Sequence, residues 1–132
     1  MIRLAIPTLF LFGFASPSMA TEWINCSDAG GEASFDFLVG AVDVLSIVGV
    51  TISVGDKVWA SDAAYGPGEP VAIGQAFETG DFILVDAMDP NVVNKIAELR
   101  LFKAAEGNAE PVYGGTLRIP GHGVWAVSCS GP

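Results

Sequence analysis

Along most of this chain apolar residues recur at every second position, a period that suits strands and little else. Ala33, Phe35, Phe37 and Val39 alternate with Ser34, Asp36 and Leu38, which predicts a half-buried strand with one mostly polar face. Val42, Val44, Val48, Val50, Ile52 and Val54 share a parity interrupted by Ser46, with Gly49 in their midst. That stretch reads as two strands or as one strand with a bulge. Gly55-Asp56 turns the chain into a short strand over residues 57–60, and residues 61–70, which contain Gly66-Pro67-Gly68-Glu69-Pro70, form the clearest loop.

Residues 71–77 and 82–85 are the next strands, and Glu78-Thr79-Gly80-Asp81 between them fits a hairpin. Asp89-Pro90-Asn91 then supplies a cap residue followed by a proline at a first helical position. Val92, Ile96 and Leu99 have helical spacing with Gly107 as a cap, so a helix over residues 90–105 competes with an alternating strand over residues 98–103. The reading adopted is a short helical turn near 90–96 followed by a strand over 97–104, with a strand partner over 112–119. Pro120-Gly121-His122-Gly123 is a tight turn, and the last strand, residues 124–129, puts Trp125, Val127 and Cys129 on one parity. Short strands with a turn signal about every ten residues predict a mainly β chain, a small antiparallel β-sandwich or barrel.

Residues 1–20 have the three parts of an export signal. Arg3 is the positive start, residues 4–14 are the apolar stretch, and Ser18 and Ala20 are the small residues before a cut after Ala20. The apolar run is too short to span a bilayer, so it is expected to be removed, leaving no integral membrane segment in the mature chain. The protein is therefore expected in a periplasm or outside the cell, as a single domain over residues 21–132. In that oxidising setting Cys26 and Cys129, the two cysteines, are expected to form one disulfide joining the first strand to the last. Glu22-Trp23-Ile24-Asn25 before Cys26 lacks the small residues of a lipid-attachment site, and Asn25-Cys26-Ser27 matches a glycosylation acceptor only formally.

Beyond residue 20, five cations (Lys57, Lys95, Arg100, Lys103 and Arg118) stand against fifteen Asp and Glu, a net charge of −10. A surface of that sign disfavours nucleic acid and anionic membrane, and favours cationic partners. The aromatic and β-branched content argues against disorder.

The chemistry-bearing residues are sparse. His122, the one histidine, sits between two glycines in a turn, and the cysteines are expected to be bonded, so an activated nucleophile of the usual kind lacks its base. There is no Gly-x-Ser-x-Gly elbow and no phosphate-cradling glycine loop. Zinc-type spacing of His and Cys is absent, and Asp86, Asp89 and Asn91 do not match a calcium loop. No cofactor is expected. A pair of carboxylates acting on a glycan as acid and base remains the enzymatic alternative. The favoured expectation is a non-enzymatic domain that binds a cationic protein or another ligand.

Trp59, Ser61, Asp62 and Tyr65 are the candidate binding residues, two large aromatics and an acid around the longest irregular stretch. Ser61 and Tyr65 have the Ser-x-x-x-Tyr spacing of the inhibitory loop of exported inhibitors of C-type lysozymes, and over these five residues the chain resembles that family. The family has Gly after the serine, where this chain has Asp62. The resemblance implies a cationic lysozyme-like enzyme as partner, which the negative charge suits.

Overall fold

A computed structural model describes Gly13, residues 21–40 and residues 44–131. The expected export signal, apart from Gly13, and Val42 lie outside the described residues. The strands are β1 Glu22–Ser27, β2 Ala33–Val39, β3 Ile47–Val54, β4 Lys57–Ala60, β5 Glu69–Pro70, β6 Ala72–Glu78, β7 Phe82–Met88, β8 Lys95–Ala104, β9 Val112–Ile119 and β10 Gly123–Ser130. They form one sheet in the order β5-β4-β3-β2-β1-β10-β9-β8-β7-β6, antiparallel except between β4 and β5. The mainly β reading therefore holds, with a barrel- or sandwich-like sheet.

Topology explains why the sheet curls. Its two end strands, β5 and β6, are separated in the chain by Val71 alone, so its first and last edges must come together. Val71 is buried, and its amide donates to the Ala60 carbonyl at 3.2 Å. The right-handed twist of paired strands supplies the curvature.

Alternation fills the interior. Ile24 and Cys26 of β1, Ala33, Phe35 and Phe37 of β2, and Val50 and Ile52 of β3 point inward. They meet Ile83, Val85 and Ala87 of β7, Ala97, Leu99 and Leu101 of β8, and Leu117 and Ile119 of β9 in one core. Gly115 keeps β9 close to β8, because a Cβ there would run into the Arg100 carbonyl oxygen. Cys26 faces Cys129 directly across the β1–β10 pair, and the two are disulfide-bonded. Among the described residues no helix is long and apolar enough to cross a membrane.

The helical turn lies elsewhere than expected. Residues 89–94 form a capped loop: the Asp89 carboxylate accepts the Val93 amide at 2.8 Å and the Asn94 side-chain amide at 3.0 Å, and Val92 has φ 56. That left-handed residue stops a helix before it completes a turn. Lys95 then begins β8 in place of the helix alternative. The one 3-10 turn among the described residues is Ala63–Tyr65, inside the stretch expected to be loop.

Among the described residues Asp86 is the buried ionisable side chain, 2% exposed although it is on the outward parity of β7. Arg100 Nη1 donates to it at 2.8 Å and Lys95 Nζ lies at 3.5 Å.

Candidate functional site

The outward face of β1, β2 and β3 carries two rows set by register. Asn25, Asp36 and Thr51 form one, and Trp23, Leu38 and Gly49 form the next. Gly49 leaves an open place in its row, and the Tyr65 ring occupies it: a Cβ on Gly49 would lie 2.6 Å from Tyr65 Cε2. Tyr65 also meets Trp23 edge to face, with ring centroids 5.6 Å apart.

The stretch after β4 is shaped to hold that ring. Ser61 bridges back to β3, its amide donating to the Val50 carbonyl at 3.0 Å and its Oγ accepting the Val50 amide at 2.9 Å. Asp62 caps the Ala63–Tyr65 turn by accepting the Ala64 amide at 2.8 Å. The Thr51 hydroxyl donates to the Tyr65 carbonyl at 2.9 Å. The result is a shallow, open groove lined by Trp23, Asn25, Asp36, Thr51 and Tyr65.

Asp36 is the single carboxylate in that lining. Its burial pushes the carboxyl above its ordinary value, partly offset by the Cys26 backbone amide. No Lys or Arg lies within ion-pair distance of it among the described residues. The cations are concentrated on the other half of the sheet. Lys95, Arg100 and Lys103 are in β8 and Arg118 is in β9, where they pair with Asp86, Glu98 and Glu78. Lys57 is the cation of residues 22–70, and Glu69 engages it at 2.6 Å. The groove therefore sits in an uncompensated negative field.

Of the four residues singled out in the sequence, Tyr65 lines the groove, while Ser61 and Asp62 shape the turn that carries it. Trp59 points the other way, into the core, 5% exposed, with its ring 5.5 Å from that of His122 and Lys57 Nζ 5.4 Å from its centroid. Trp23, Asn25, Asp36 and Thr51 escaped sequence reasoning. The alternation of β2 did assign Asp36 to the polar face, but only the register across three strands brings it beside two rings. Asp86, Asp89 and Asn91 do not converge: Asp86 is held by Arg100, and Asp89 spends its oxygens on its own loop. Among the described residues no group of three or more His, Cys, Asp or Glu is placed to hold a metal ion.

No family model, curated protein or solved structure matches the chain. Two aromatic rings lining the same groove as a carboxylate that lacks a counter-ion among the described residues favour a cation, through ring quadrupoles and through charge.

Proposed function

We propose that the protein is an exported, non-enzymatic binding domain, residues 21–132, whose groove receives a cationic side chain of a protein partner. The observation that carries this reading is Asp36, partly desolvated and without an ion-pair partner among the described residues, in a groove it shares with Trp23 and Tyr65 on the acidic half of the sheet. An arriving lysine or arginine would supply the counter-ion Asp36 lacks and stack on the rings, and both interactions strengthen as water leaves. The disulfide and the absence, among the described residues, of a long apolar helix are compatible with export. Hydrolysis by two carboxylates would need a second acid in the groove, whose lining holds one.

A cationic lysozyme-like enzyme is the partner that the Ser61 and Tyr65 spacing implies. Isothermal titration of the protein with a C-type lysozyme and with an octalysine peptide, at low and high salt, tests the reading. Binding is expected to weaken with salt, and to weaken about tenfold, or about 1.4 kcal/mol, in Asp36→Asn and in Tyr65→Ala. Absence of binding to both probes, or equal binding by Asp36→Asn, would overturn it. A lysozyme turbidity assay then decides whether binding inhibits that enzyme.

A further inference from the structure

The end of the sheet at β6 is built differently from the end at β5. Strand β5 is two residues long and finishes at Pro70, whereas β6 runs for seven residues and, among the described residues, pairs with β7 alone, with β3 approaching its other side without strand pairing. The hairpin that joins β6 to β7 fixes which backbone groups face outward. The Thr79 amide donates to the Phe82 carbonyl at 2.8 Å, so that pair exchanges hydrogen bonds, and antiparallel pairs alternate from there. The next pair, Glu78 with Ile83, is then non-bonded, Phe77 with Leu84 is bonded, and Ala76 with Val85 is non-bonded. Consequently the amides and carbonyls of Ala76 and Glu78 point away from β7, toward the outward edge.

The sequence does little to guard this edge. Strands at sheet margins are commonly blunted by lysine, proline or charge. The residues of β6, Ala-Ile-Gly-Gln-Ala-Phe-Glu, contain no Lys or Pro and one charge at the end. A register shift between Ile73 and Ala76 interrupts pairing at Gly74 and Gln75, which leaves Ala76 to Glu78 as the regular segment. Beside that segment is a hollow of about 500 Å³ bordered by Val44, Leu45 and Phe77, of which Val44 and Phe77 are well exposed. Its rim is acidic. Glu78 lines it, Glu22 and Glu78 line the adjoining hollow, and Asp81 follows in the hairpin turn. Lys103 and Glu78 engage each other, so Glu22 and Asp81 are the rim acids with no ion pair among the described residues.

We infer that the outward edge of β6 at Ala76 to Glu78, beside the hollow where the curled sheet is left unpaired, takes up an extended peptide that alternates apolar residues with lysine or arginine, as an added strand. Backbone hydrogen bonds to Ala76 and Glu78 supply affinity, apolar side chains enter the hollow beside Phe77, and the cations meet the acidic rim. Charge decides the occupant. A second copy of this chain would bring net negative charge against net negative charge, whereas a basic peptide lowers the field. This edge is formed by strands other than those of the Trp23 and Tyr65 groove, and its test is independent of the function proposed above.

The probe is an acetylated, amidated (Lys-Val)4 peptide, with (Glu-Val)4 and (Lys-Pro)4 as controls, titrated into the disulfide-intact protein and followed by amide-resolved NMR and hydrogen exchange. With (Lys-Val)4 the Ala76 and Glu78 amides should shift and gain about tenfold protection, and neither control should produce this. Ala76→Pro removes an outward donor while sparing the β7 ladder, so it should abolish the response and keep the melting temperature within a few degrees. Asp36→Asn should leave it unchanged. The inference is overturned if no β6 amide responds, if (Lys-Pro)4 acts as well as (Lys-Val)4, or if the β6 amides become protected by self-association as protein concentration rises without peptide. Should Ala76→Pro fail to fold, the wild-type exchange pattern with the three peptides decides the matter alone.

Discussion

Replacing both disulfide cysteines, Cys26→Ala with Cys129→Ala, opens a covalent loop whose ends are 103 residues apart. In the chain-entropy model a loop of that length restricts the unfolded ensemble by about 4.7 kcal/mol at 25 °C. The native state loses little in return, because β1 and β10 stay paired at Asn25–Ser130 and Ser27–Ser128 on either side of the bridge. Cys26 is fully buried, so the change to alanine adds a small cavity and about 1 kcal/mol more. A domain of about 110 residues unfolds with an entropy of about 0.23 kcal/mol per kelvin, which turns about 5.7 kcal/mol into a fall in melting temperature of about 25 °C. Far-ultraviolet circular dichroism melts of the oxidised protein and the double variant measure this, and near-ultraviolet spectra at 10 °C should coincide. A fall of less than about 5 °C would refute the reasoning, because the sheet would then be closed by the β1–β10 pairing without help from the bond.

Gly115→Ala should destabilise the protein by about 3 kcal/mol in urea titrations, since its Cβ meets the Arg100 backbone, whereas Gly114→Ala, with its nearest atom at 3.5 Å, should stay within about 1 kcal/mol. Arg100→Leu leaves the buried Asp86 with Lys95 alone and should cost about 3 kcal/mol, most of it regained when Asp86→Leu is added; a double variant as unstable as the single would count against the pairing. Asp36 has its carboxyl raised above 3.8 in the folded state, so its ionised form opposes folding above the folded value, and that penalty disappears as pH falls toward 3.8. Asp36→Asn should therefore be more stable than wild type at pH 7 and lose that advantage near pH 3.5, as followed by thermal melts across pH. Asp89, held below its ordinary value chiefly by the Val93 amide, works in the opposite sense: its contribution is present above 3.8 and is lost as pH falls through the folded value.

Strand positions were legible because each strand buries one face, and burial writes period two into the sequence. Phe35 and Phe37 announced β2, and Trp125, Val127 and Cys129 announced β10, down to the face that carries the bonded cysteine. The loop after Met88 was not legible as such, because Asp89 and Pro90 are equally good at opening a helix and at capping a turn. The left-handed backbone at Val92 that separates the two outcomes has no signature in residue type. The groove was harder still. Tyr65 is in the 61–70 loop, which composition marks, but Trp23, Asp36 and Thr51 belong to three strands whose mutual register is a tertiary property. Gly49 signals a bulge in the sequence, and the β2–β3 register does shift beside it, where Leu38 faces Gly49 and Val39 faces Ile47; what the sequence does not announce is that its missing side chain makes room for Tyr65.

The strand order has a kinetic meaning. Every pairing in the sheet except β1 with β10 joins strands that follow one another in the chain, so nearly all of it can zip from hairpin to neighbouring hairpin with small losses of chain entropy. The distant step is the meeting of β1 and β10, across three residue pairs. Long-range strand pairing is confined to that one place, so the two halves of the sheet can each grow locally and are joined by a single distant pairing together with the core they share.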